Sequence, residues 1–240
     1  MKQTIAIVHY NTPELTEALV KSIRKVGMDW PVVILDNSNE RPFTKRMKGV
    51  KVINNRKGQL IDFEKELAKY PDRNVALGAA SNDGSVKHML SVQKLWEMVP
   101  EGFILAESDI LLKRDISFLW DEKYAAAGKV EWHRIKPAPE RDRLLPFLCY
   151  MNVPLLTANG ARYFDPERSW NLWPEEQDPR NYWDTGAALL DDIIKTKPQL
   201  RARLYPDLYE CFEHYKGGSW RQGDGVNQQA WLEQHRALFE

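Results

Sequence analysis

Apolar residues fall in this chain into short runs, and each run ends in polar, turn-forming side chains. Residues 4–10 (TIAIVHY) form a compact β-branched run that stops at Asn11-Thr12-Pro13, which predicts a buried strand followed by a turn. Thr12 suits a helix N-cap and Pro13 a first helical turn. Leu15, Leu19, Val20 and Ile23 then recur at helical spacing up to Arg24. Residues 31–35 (PVVIL) are a second strand pattern, ending in Asp36-Asn37-Ser38, and residues 50–53 a third, ending in Asn54-Asn55. Strands that end in polar loops, two of them separated by a clear helix, predict βαβ units. In open sheets of that kind ligands bind beyond the carboxyl ends of the strands. Asp36 then stands at a ligand-binding edge, either as a turn cap or as a ligand contact.

Residues 61–69 predict a short helix, and residues 72–83 a loop, because Gly78, Asn82 and Gly84 interrupt any period. Ser85 is the expected N-cap of a helix over residues 86–98, whose Met89, Val92, Leu95 and Trp96 make one apolar face. His88 then lies on the first turn, where exposed amides and the helix dipole favour an anion such as phosphate. A single helix histidine serves equally as a surface or core residue. The helix leads into residues 103–115 (FILAESDILLKRD), where a buried-strand pattern is followed at once by Glu107-Ser108-Asp109. Strand alternation puts Glu107 and Asp109 on one side and Ser108 on the other. Two carboxylates so placed converge on a hard cation or on ribose hydroxyls, although acids that simply leave a sheet for water produce the same pattern.

The second half is less regular. Residues 129–143 carry Lys129, His133, Arg134, Lys136, Arg141 and Arg143 with two prolines, which predicts a basic loop able to steer a phosphorylated ligand, or merely a solvated one. Residues 144–157 turn apolar, and residues 161–165 are expected against them. A polar segment over residues 169–183 holds Trp170, Trp173 and Trp183, whose flat faces suit sugars as well as a core. Asp184 or Thr185 caps a predicted helix with Ala187, Leu190, Ile193 and Ile194 on one face. Residues 212–220 (FEHYKGGSW) bring a late His214 before a Gly-Gly turn, and a closing helix is expected between Val226 and Leu238.

Composition narrows the function classes. The 240 residues are 43% hydrophobic, enough for one large α/β domain. Lys plus Arg equal Asp plus Glu at 34 each, so no global basic field argues for nucleic acid. Cys149 and Cys211 sit in apolar or aromatic surroundings and are expected as reduced core thiols. No apolar run approaches the roughly 20 residues of a membrane span, so a cytoplasmic location is expected, with peripheral contact at the inner face of a membrane allowed.

IAIVHYNTPELTEALVKSI, VVILDNS, GSVKH, FILAESDILLKRDI, YWDTGAALLDDI and HYKGGSW, in that order, resemble the nucleotide-sugar-dependent glycosyltransferases of the GT-A fold, bacterial family 2-like enzymes among them. The resemblance implies a mixed, mostly parallel Rossmann-like sheet flanked by helices in a single domain. Residues 1–115 would form the nucleotide-binding half, and residues 116–240 the acceptor half and C-terminal lid. It implies transfer from a nucleotide-sugar to a glycan or lipid-linked sugar, assisted by Mn²⁺ or Mg²⁺; Asp36 can accept from the N–H groups of uracil or guanine but offers nothing to the acceptor N3 of cytosine, which favours UDP- over GDP-sugars and excludes CMP-sugars. Tyr10, Asn11, Thr12 and Asp36 would lie around the nucleoside, and Ser85 and His88 at the nucleotide or diphosphate. Ser108 sits within the acidic motif. Asp109 and His214 would hold the metal, with Glu107 at the metal or ribose; the family usually has Asp at this first acidic position. Lys216, Ser219 and Trp220 would close over the diphosphate. Asp184 is the candidate catalytic base of an inverting enzyme, with Asp191 and Asp192 as rivals. A nucleotidyltransferase, or a non-catalytic nucleotide- or glycan-binding protein, shares the same frame.

Overall fold

The computed structural model describes residues 3–69, 79–133, 141–165, 185–215 and 225–240. Of the candidate site residues, Asp184, Lys216, Ser219 and Trp220 lie outside these, as does the tryptophan-rich segment.

The buried runs become strands. β1 (Ile5–His9), β2 (Val32–Asp36), β3 (Val50–Asn54) and β4 (Phe103–Ala106) lie parallel in the order β3-β2-β1-β4. β7 (Arg141–Met151) then runs antiparallel beside β4. β6 (Ala126–His133) and β8 (Ala202–Leu204) complete a seven-stranded sheet, so strands from both halves of the chain share it. β7 alone runs against the others.

Side chains alternate across these strands, so both faces of the sheet need cover. Ile5 and Ile7 pack with Leu19, Val20 and Ile23 of α1 (Pro13–Lys25). Ala6, Leu35 and Leu105 point the other way, against Val86, Met89, Val92 and Leu95 of α3 (Ala79–Met98). α2 (Phe63–Ala68) adds Leu67 to that second layer, as do Leu156 of α4 (Val153–Ala158) and Leu189 and Leu190 of α5 (Ala187–Asp191). Asp192–Thr196 continues α5 as a wider, π-type turn. α6 (Gly225–Gln234) closes the chain. Cys149 and Cys211 are buried and unbridged. Among the described residues no helix is long and apolar enough to cross a membrane.

Three expectations are corrected. α3 begins at Ala79, so the helix runs through Asn82 and Gly84 and Ser85 is an interior residue instead of its cap. A helical glycine costs about 1 kcal/mol, less than the ~1.5–3 kcal/mol gained by burying each large apolar side chain on the downstream face. The basic stretch is a strand pair instead of a loop over its described residues. Arg143, 7% exposed, is held by Glu131 at 2.8 and 3.0 Å, and Lys129 lies over the Tyr209 ring. Finally, Gly186 occupies the N-cap of α5, and the Thr185 hydroxyl bonds elsewhere.

Gly186 has φ +80°, and a Cβ there would sit 2.4 Å from the Leu144 carbonyl oxygen. Both the left-handed conformation and that contact oppose a side chain. Gly186→Ala should therefore lower stability by at least about 1–2 kcal/mol, read as a fall in thermal midpoint; an unchanged midpoint would show that the α5 start adapts freely.

Candidate functional site

The acidic motif is a turn between two sheets. After Ala106 the Glu107 amide donates to the Phe147 carbonyl at 2.9 Å, anchoring the turn to β7. The chain then leaves the main sheet and enters β5 (Ile110–Leu112), which among the described residues pairs only with β9 (Phe212–His214), Ile110 opposite His214. The Tyr215 amide extends that ladder to the Asp109 carbonyl at 2.8 Å. His214 Nε2 thus lies 3.5 Å from Asp109 Oδ1, and the Phe147 ring packs on the imidazole with centroids 4.1 Å apart.

Glu107, Asp109 and His214 each present a ligand atom, all within 4.8 Å of one another. Two metal–ligand bonds of roughly 2.0–2.6 Å each span that separation. Two carboxylates and an imidazole form a donor set for a divalent ion such as Mn²⁺. The residues fit a metal. Their convergence does not come from strand alternation, however. Ser108, expected on the far side, is buried and accepts a bond from the Thr12 hydroxyl at 3.2 Å. That bond also explains why Thr12, though at the N-cap position of α1, makes no side-chain cap.

His88 belongs to the same cluster, by a different route from the one expected. It lies in the interior of α3, so no first-turn amides surround it. Its Nε2 is 3.2 Å from Glu107 Oε1, and its Nδ1 is 3.0 Å from the Thr185 hydroxyl. Thr185 in turn lies 3.1 Å from the Tyr163 hydroxyl. Ser85, three residues back on α3, is buried.

The loops beyond β1 and β2 are built from each other's polar groups. Asn11 has φ 55° and receives the amides of Glu40 and Arg41 on its side-chain oxygen, while its own amide donates to the Ser38 hydroxyl. Tyr10 precedes it, half-buried. Asp36 is 2% exposed, and its two carboxylate oxygens accept the Ser38 and Phe43 amides at 2.9 and 3.0 Å. The role on view for Asp36 is that of a staple for its own loop. Asn55 donates to the Asn37 side-chain oxygen and Asn37 donates to the Ser91 hydroxyl of α3, tying the β2 and β3 loops to the helix.

Sequence reasoning missed His9, Tyr163 and Thr185 as chemistry-bearing residues. His9 is fully buried between the Thr16 hydroxyl at 2.7 Å and the Arg41 carbonyl at 3.3 Å. A histidine ending an otherwise apolar strand was its only signal. Tyr163 and Thr185 had none, since only tertiary structure brings them to His88.

No protein-family model and no curated protein matches the chain. Solved structures do match. The galactosyltransferase LgtC, in complex with donor and acceptor sugar analogues, superposes at a TM-score of 0.53 and 10% identity, over 96% of this chain and 94% of that one. The fold is GT-A. Mouse xyloside xylosyltransferase 1, in its apo form, matches this GT-A chain at a TM-score of 0.50 and 11% identity, over 85% of each.

Burial lowers the pKa of His9, against the opposing pull of Asp36 3.9 Å away. Above the unfolded imidazole value of about 6.5 both states are neutral there. As pH falls through that value the unfolded chain takes up a proton that the folded ring resists, so stability is lost until the folded pKa is passed. Between about pH 7.5 and 5.5 the thermal midpoint should fall further for the native protein than for His9→Gln; equal falls would remove His9 as the cause.

Proposed function

We propose that this chain is a glycosyltransferase that moves a sugar from a nucleoside diphosphate to a hydroxyl acceptor, a glycan or a lipid-linked sugar. One observation carries the reading: Glu107, Asp109 and His214 converge just beyond the carboxyl end of β4, where open α/β sheets bind ligands. Asp109 and His214 would hold a divalent ion, Mn²⁺ or Mg²⁺, with Glu107 beside them. When bound, such an ion neutralises charge developing on a departing diphosphate. Thr12, hydrogen-bonded to Ser108, sets the β1–α1 loop against the acidic turn, and Tyr10 and Asn11 belong to the same loop. Asp36, each of whose oxygens accepts one backbone amide and keeps further acceptor capacity, remains the proposed contact to base or ribose, and UDP- and GDP-sugars are both donors to screen, UDP-sugars first.

Asp184 remains the proposed base for an inverting reaction, taking the acceptor's proton; in a retaining one it would orient hydroxyls instead. Its support is that Thr185, the next residue, touches His88. The rivals are engaged locally, Asp191 with Lys195 at 3.4 Å and Asp192 with the Thr196 hydroxyl at 2.9 Å. Lys216, Ser219 and Trp220 follow Tyr215, whose amide is held by Asp109, and they are proposed to close over the diphosphate.

Product analysis tests the class of reaction. Released nucleoside diphosphate marks sugar transfer, pyrophosphate would mark nucleotidyl transfer, and binding without either would mark a binding protein, the reading that Glu107 in place of the usual Asp favours. Asp109→Ala should abolish Mn²⁺-dependent binding of UDP and GDP in calorimetry while the circular dichroism spectrum is retained; unchanged binding would sink the metal assignment. His214→Ala should cut turnover on the order of 100-fold, more than the loss of most outer-shell partners, and raise the Mn²⁺ requirement with little change in thermal midpoint. A lower midpoint with an unaltered metal requirement would make His214 a packing residue.

A further inference from the structure

Positive charge is unevenly placed in this neutral chain. Residues 41–61 contain Arg41, Lys45, Arg46, Lys48, Lys51, Arg56 and Lys57 and no Asp or Glu. Arg41 and Lys45 are paired, with Glu14 at 2.6 Å and Glu17 at 3.6 Å. The other five residues are exposed, and among the described residues none of their side chains has an ion pair or a hydrogen bond.

These five cations follow the outer edge of the sheet. β3 ends the strand order and, among the described residues, pairs only with β2. Lys51 lies within β3, Arg46 and Lys48 precede its start, and Arg56 and Lys57 follow its end. The backbone of this edge is held on both sides of the strand. The Gly49 carbonyl accepts the Val32 amide at 2.9 Å, Arg24 donates to the Lys48 carbonyl at 3.3 Å, and the Asn54 side chain accepts the Arg56 amide at 2.9 Å. A lysine on an edge strand blunts pairing with a further strand, and Lys51 alone serves that purpose. The four cations outside the strand need a different account.

Their spacing selects the partner. Five residues of strand span roughly 17 Å, about twice the distance over which physiological salt screens charge. Cations at the two ends therefore act as separate contacts: a compact anion meets one or two of them, whereas an extended anionic surface meets all. Two observations favour a lipid surface over a nucleic acid. Val52 and Leu60 stand among the cations at 38% and 37% exposed, and apolar side chains beside lysines and arginines suit the boundary between headgroups and acyl chains, where long basic side chains snorkel. Residues 44–61 also include no aromatic side chain on which a base could stack.

We propose that the β3 edge docks this protein on an anionic lipid bilayer, with Arg46, Lys48, Lys51, Arg56 and Lys57 against the headgroups. Docking needs neither metal nor sugar donor, so it stands or falls apart from the reading of the acidic turn. In the order β3-β2-β1-β4, Glu107 follows a strand three places from this edge, roughly 14 Å at the usual strand spacing. A bilayer docked there stands beside the turn.

Vesicle flotation measures the docking. The native protein should float with vesicles of equal parts phosphatidylcholine and phosphatidylglycerol, stay behind with phosphatidylcholine alone, and leave the anionic vesicles as NaCl rises to about 0.5 M. Each basic residue near such a surface contributes about a fivefold gain in affinity. Lys48→Gln, Lys51→Gln and Lys57→Gln, combined, should therefore lose on the order of 100-fold, with circular dichroism spectrum and thermal midpoint retained. Lys123→Gln, Arg162→Gln and Arg201→Gln, combined, remove the same charge from exposed positions elsewhere and should leave binding as it was. Absence of binding to the anionic vesicles, an equal loss in the two variants, or tighter capture by a duplex DNA oligomer than by the vesicles overturns the proposal.

Discussion

The site depends on the pairing of two three-residue strands. β5 and β9 bring Lys113 and Glu213, 100 positions apart in the chain, into contact at 2.9 Å, and the same short ladder places His214 opposite Ile110. Without it, the carboxylates at the end of β4 would have no imidazole beside them. Closing so long a loop is entropically unfavourable, and three residue pairs alone do not offset it. Burial supplies the remainder: Ile110, Leu112 and Phe212 enter the same apolar layer as α1. The apolar core therefore holds the ligand-bearing turn, and charged groups are added at its rim.

A second dependence runs through α3. One face of this helix covers the sheet with Val86, Met89, Val92 and Leu95, while Ser91, Gln93 and His88 reach three different loops. A helix interior fixes such groups relative to one another more firmly than a first turn does, because its backbone bonds are complete on both sides. The polar groups at the strand ends are thus set against a single rigid body.

Much of the fold was legible in the sequence because parallel strands buried on both faces leave continuous apolar runs, as in IAIVH and VVILD. What was not legible has physical causes. Asn82 and Gly84 are local breakers overridden by packing farther along the helix. The basic stretch hid a strand pair, and Lys129-Val130-Glu131-Trp132 does alternate with period two, a signal outweighed by its charge and prolines. At the site, the acids and the late histidine stood out by composition. That they converge through a turn and a second sheet, with Ser108 turned inward to Thr12, could not be read from one strand's periodicity. Asp36 illustrates the same limit, since its two backbone partners depend on how its loop folds back.

The reversed direction of β7 has an evolutionary consequence. Because β7 opposes β4, its first residues extend past the carboxyl end of the parallel strands, pairing with the last residues of β6 down to His133 and Arg141. The connection between β6 and β7 therefore starts and ends on the same edge of the sheet as Glu107, whereas a parallel crossover would carry the chain to the opposite edge. Changes in chain length between His133 and Arg141 would leave every pairing given for β4, β6 and β7 intact. Such a scaffold can therefore vary in length at this edge at little cost to the foundation beneath.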